Sequence, residues 1–152
     1  MKESFVSKLL KICLYFLFAA GILVIVTAPF LFEAYMAVLF GINSLDPFYR
    51  AFIVPFLMAE GCLGLWILGE LLYILRSVPS GPFIRKNVLS LRRMGIAGLI
   101  AGALFAGKCF YLLTPLTTAC VFLLLICSLG AFTLSDLFRQ AVLFKEENDL
   151  TI

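Results

Sequence analysis

The sequence predicts an all-α integral membrane protein, a bundle of four spanning helices with both ends of the chain on one side. Three observations predict it. Hydrophobic residues make up 63% of the 152 positions and charged residues 14%, against roughly 25% charged in soluble domains. The few charges fall mostly between four long apolar runs or near their ends. Ten of the twelve Lys and Arg residues lie on one side of the alternation that those runs impose. A soluble fold of this size would leave many of its sixteen Phe rings facing water; lipid accepts them.

The first run is uncharged from Ile12 through Phe32, enough for the ~20 residues that cross the hydrocarbon. It is too long for the apolar core of a signal peptide, and no A-x-A site precedes a polar sequence. An uncleaved span over about 9–32 is expected. Pro29 lies near its far end, followed by FLFEAYMAVLFG up to Gly41. Helix from Leu9 to Phe40 would be roughly 48 Å long and overshoot the membrane, so a bend after Pro29 is expected, with Glu33 at the interface. Asp46 is a good cap and Pro47 suits a first helical position, which starts the second span (about 51–75) early. Pro55 sits inside it and predicts a second bend. The two overruns form a protruding, Phe-rich hairpin.

Residues 76–93 carry five of the twelve basic residues and a V-P-S-G-P-F breaker. A helix from Pro82, capped by Ser80 or Gly81, would place Ile84, Val88, Leu91 and Gly95 in one stripe. Arg85, Lys86, Arg92 and Arg93 fall mostly off that stripe, the pattern of an amphipathic helix lying on a membrane surface before the third span. That span (about 94–113) is dense in small residues. Gly98 and Gly102 form a small-xxx-small pair that permits close helix approach. The short turn Thr114–Thr117 makes the fourth span (about 118–138) an antiparallel neighbour. The chain closes in an acidic, amphipathic tail over 140–152. It forms one membrane domain, without internal repeats.

Four spans put both termini and the basic stretch 76–93 on the same side, which the excess of Lys and Arg in short loops marks as cytoplasmic. Only Arg50 and Lys108 lie toward the other side.

Charges within spans are costly, so Glu60, Glu70 and Lys108 are the first functional candidates. Glu60 and Lys108 lie at similar depth, where an ion pair is one reading; in the other, Lys108 snorkels to the interface and Glu60 is structural. Glu60 and Glu70 are about 15 Å apart along the axis, too far to share a proton. Arg85, Lys86, Arg92 and Arg93 suit anionic headgroups, or serve as topology determinants. Glu146, Glu147 and Asp149 either dock on that basic segment or stay solvated. The five cysteines lie in apolar segments as small packing residues; Cys109 and Cys120 flank one turn, and a disulfide between them in an oxidising compartment is the other reading. There is no histidine, hence no His-based triad or relay, and no nucleophile–base pair or metal set points to an enzyme or cofactor.

Two stretches, GPFIRKNVLSLRRMG at 81–95 and LFRQAVLFKEENDLTI at 137–152, resemble the bacterial family of unknown function numbered 2975, small four-span membrane proteins. The matching residues are Pro82-Phe83, Asn87, Leu91-Arg92-Arg93 and Gly95, then Glu147 and Asp149 through Ile152. Glu60, Glu70 and Lys108 lie outside these motifs. The resemblance implies no established activity. It implies a bacterial cytoplasmic membrane and a gene often encoded beside a Cro/C1-type helix-turn-helix regulator.

Three functions follow as expectations. The first is a non-enzymatic regulatory or scaffold protein whose cytoplasmic face binds a partner protein or anionic lipid, without contacting nucleic acid itself. The second is an oligomeric carrier or ion-conducting protein using Glu60 and Lys108, which requires a homo-oligomer because four helices leave little room for a pathway. The third is an immunity protein that shields the membrane from a peptide toxin through the outer hairpin.

Overall fold

A computed structural model describes residues 5–41, 46–77, 84–111 and 113–150, all but a few of them helical. The elements are α1 (Phe5–Phe40), α2 (Pro47–Ser77), α3 (Arg85–Tyr111) and α4 (Pro115–Leu150). All four are long and apolar enough to cross a membrane. At 36, 31, 27 and 36 residues they are about 54, 46, 40 and 54 Å long. Each exceeds the ~30 Å hydrocarbon, α1 and α4 by the most.

Asp46 caps α2 as its position predicts: its Oδ1 accepts the Phe48 amide at 3.2 Å, with Pro47 in the first helical position. α1 and α2 both continue as helix through Pro29 and Pro55, leaving the carbonyls four residues back without an amide donor. Gly41 ends α1 at φ 68°, a left-handed C-terminal position that glycine adopts without strain. The expected surface helix is not a separate element. Its described part, from Arg85, forms the first turns of α3 and runs without interruption into the span. The cap expected at Ser80 or Gly81 and the start at Pro82 lie outside the described residues, as do Thr151 and Ile152.

Pairs of touching residues run in opposite order along each helix pair, so consecutive helices are antiparallel. Glu33 meets Arg50 near one end of α1 and α2, and Tyr15 meets Arg76 near the other. The N-terminus of α1, the start of α3 and the end of α4 therefore share an end, here called the basic end.

The helices pack in chain order: α1 on α2, α2 on α3, α3 on α4, with no other pair of described helices in contact. Small residues set the close approaches. Gly21 receives Leu65 and Gly61 receives Ile25, where an added Cβ would lie 2.8 Å from Leu65 Cδ2 and 2.7 Å from Ile25 Cγ1. Gly95 lies under the Phe132 ring, and Gly98 faces Ser128. The expected Gly98–Gly102 pair thus does sit on the α4 side, with Leu124 against Gly102. Toward the far end, Phe32, Ile53 and Phe56 form a small core that Phe105 joins edge-on, 5.2 Å from the Phe56 ring. Most other large apolar side chains face outward, as lipid contact allows.

Candidate functional site

Polar contacts gather at the basic end, and each pair of neighbouring helices there is tied by at least one. Between α1 and α2, Arg76 Nε donates to Tyr15 Oη at 2.7 Å, Nη2 bonds the same oxygen, and the guanidinium lies 5.4 Å from that ring's centroid. Between α2 and α3, Ser77 Oγ lies 2.8 Å from Asn87 Oδ1 and 2.7 Å from the Ile74 carbonyl oxygen. Arg93 Nη1 is 3.4 Å from Glu70 Oε1, which also accepts the Trp66 indole N–H at 3.3 Å. Between α3 and α4, Ser135 Oγ donates to the Val88 carbonyl at 3.0 Å, and Arg85 grips both carboxylate oxygens of Glu146 at 3.0 and 2.7 Å.

The Arg85–Glu146 pair is exposed. The hydrogen bonds from Arg85 hold the Glu146 carboxyl below its ordinary value, opposed by desolvation and aided by a lesser charge attraction; hydrogen bonding and then charge attraction raise the Arg85 guanidinium in turn. This contact brings the acidic tail to the basic segment as a continuation of α4. Of the other basic candidates, Lys86 and Arg92 are exposed and form no ion pair among the described residues. Glu147 is exposed near the end of α4, and the Asp149 side chain lies outside what is described.

Beside this framework, a groove of about 780 Å³ opens over α2, between α1 and α3. Trp66, Glu70 and Tyr73 form part of its floor, with Lys86, Ser90 and Arg93 along the α3 wall. Arg92 is turned away from it, into a separate recess beside Phe132 and Arg139.

The three charges expected within spans separate. Glu70 belongs to the basic-end framework, with its side chain only 13% exposed. Glu60 and Lys108 form no ion pair among the described residues. Lys108 Nζ lies 5.2 Å from the Phe56 ring centroid instead, and Glu60 Oε1 is buried without a hydrogen-bond partner among the described residues. Similar depth did not suffice, because the azimuth of each side chain about its helix decides the pairing. All five cysteines are free, Cys109 and Cys120 included.

Tyr15, Trp66, Ser77 and Ser135 are framework residues that the sequence reading did not single out. Trp66 carries a signal in hindsight, since its spacing of four to Glu70 puts both on one helix face. Asn87 is fully buried and Ser90 nearly so, although neither belongs to the apolar stripe of this segment.

Comparison with protein-family models, curated proteins and solved structures finds no significant match.

Proposed function

We propose that this chain is a non-enzymatic multi-pass membrane protein that presents its basic end to the cytoplasm as a binding face, in a regulatory or scaffolding role. The observation that carries this reading is the framework of the basic end. Tyr15, Arg76, Asn87, Glu146 and their partners hold helix ends in fixed register, while Lys86 and Arg92 remain exposed beside them. Rigid support under exposed charge is what a recognition surface needs, because little ordering then remains to be done on binding. The excess of basic residues at this end supports a cytoplasmic orientation, and the resemblance of 81–95 and 137–152 to a bacterial membrane family points to a soluble regulator as the partner.

Pull-down of the full chain from native membranes tests the proposal. A cytosolic protein should co-purify and be lost on deleting residues 146–152. Failure to recover any cytosolic protein would count decisively against it.

A second reading, an ion-conducting or carrier oligomer, draws on the unpartnered Glu60 Oε1. Its cost is that Lys108 is engaged with Phe56 rather than Glu60. Liposome flux unchanged by Glu60→Gln and Lys108→Met would remove it.

A further inference from the structure

α1 and α3 both pack on α2 and not on each other, so the groove over α2 is a seat that the described residues leave open. Its chemistry changes along its length. α2 runs toward the basic end, so Leu65 and Trp66 lie about 10 Å deeper than Tyr73, and Phe18 of α1 joins the lining. Lys86 and Arg93 lie along the α3 wall, seven residues and thus two turns apart on one face. The groove is therefore charged toward the basic end and predominantly apolar below it, the polarity of an amphiphile standing upright in a membrane.

We propose that the groove binds one anionic glycerophospholipid, its phosphate held by Arg93 and Lys86 and one acyl chain lying along Phe18, Leu65 and Trp66. The proposal rests on the membrane reading above and names a ligand for that same end of the molecule. Charge selects the headgroup. Lys86 and Arg93 set against Glu70 leave one net positive charge, the complement of a monoanion. Glu70 holds Arg93 by a single nitrogen at 3.4 Å, so it orients the guanidinium while leaving donors for a phosphate, which arginine binds in two-pronged fashion. The Trp66 indole N–H is taken up by Glu70, which leaves the ring's apolar face for a chain. Gly69 keeps the floor open: an added Cβ would already lie within 3.9 Å of the Phe18 ring, so a larger side chain there fills the seat. A soluble partner protein would meet the mouth of this groove and not its apolar depth.

Native mass spectrometry of the full chain, released from detergent after titration with phosphatidylglycerol or with phosphatidylcholine of the same chains, tests this. One phosphatidylglycerol should be retained and phosphatidylcholine should not. Lys86→Gln should weaken retention about fivefold, the usual effect of one base near a membrane surface, whereas Arg92→Gln, outside the groove, should change nothing. Gly69→Leu should abolish retention with every charge still in place, its helical circular dichroism unchanged. Equal weakening by Lys86→Gln and Arg92→Gln would mean a diffuse basic surface and overturn the proposal. So would equal retention of phosphatidylcholine, or displacement of the lipid by soluble glycerol phosphate at matched concentration. Cysteine labelling of Arg85→Cys in intact cells reports the orientation separately, so a failure of the cytoplasmic reading is told apart from a failure of the lipid site.

Discussion

Gly98 of α3 sits so close to Ser128 of α4 that a Cβ at position 98 would collide with the Ser128 hydroxyl oxygen. That hydroxyl is nearly fully buried and donates to the Leu124 carbonyl at 2.7 Å. It could yield only by leaving the bond or pushing the helices apart. Gly98→Ala should therefore destabilise the protein by about 1–3 kcal/mol, the usual range for overpacking, read as a lower melting temperature in detergent. The Ser128 Cβ would lie 3.6 Å from the new methyl, an ordinary contact. The double variant Gly98→Ala/Ser128→Ala should thus recover most of the loss. Gly107, with open space around it, should accept Ala without penalty.

The α1–α2 contact should behave differently, although its distances look equally short. At Gly21 an added Cβ would meet Leu65 Cδ2, the end of a flexible side chain, whereas at Gly61 it would meet Ile25 Cγ1, beside a stiff β-branch. Leu65 can move aside, at about 1 kcal/mol. Alanine also gains up to about 1 kcal/mol over glycine in a helix interior. Gly21→Ala should be near neutral, while Gly21→Leu should loosen α1 from α2. Loss of cross-linking between paired cysteines placed on the two helices would register the latter. A Gly21→Ala loss as large as that of Gly98→Ala would mean Leu65 has no room to move.

What the sequence reveals and what it hides divide along a physical line. Helix number, the Asp46–Pro47 start and the Gly98–Gly102 approach follow from hydropathy, capping chemistry and side-chain size, all local properties. Which face of each helix meets its neighbour does not follow, because in a membrane an apolar side chain against lipid and one against protein look alike in composition. The choice between the two readings of Glu60 and Lys108 was hidden for that reason, as depth alone says nothing of rotation. The burial of Asn87 was hidden too: its partner Ser77 lies on another helix, across a breaker that the sequence marks only as a turn. The docking of Glu146 on Arg85 stood open between two readings. Charge favours the contact, while the continuation of α4 that delivers it depends on how α4 packs against α3.

Arg85 and Glu146 give a pH-dependent contact whose sign can be worked out. Glu146 is held below its ordinary carboxyl value by Arg85, so the folded state favours the ionised form. The contact is then fully present above the unfolded carboxyl value of about 4.3 and is lost as pH falls through the lower folded value. Limited proteolysis of the C-terminal segment should be constant from neutral pH to about 5 and should rise only in more acidic solution. High salt should raise it at neutral pH as well, since the pair is exposed and screened. Glu146→Gln should be cleaved readily and insensitively to both. Identical cleavage of wild type at low and high salt would show that the ion pair does not hold the tail.

Glu60 offers the sharpest choice between a structural and a functional residue. One of its carboxylate oxygens is buried with no partner among the described residues, and an unpartnered buried polar atom costs about 1–3 kcal/mol. Replacing it with an apolar group of similar size removes that cost, so Glu60→Leu should leave the melting temperature in detergent unchanged or raise it. Glu60→Gln should remain folded, with the vacancy in its hydrogen bonding carried over to the amide. If Glu60→Leu instead lost folded protein severely, the carboxylate would have to be satisfied by something beyond this chain, an ion or a second copy. The conducting reading would then gain the ground that Lys108, turned toward Phe56, at present denies it.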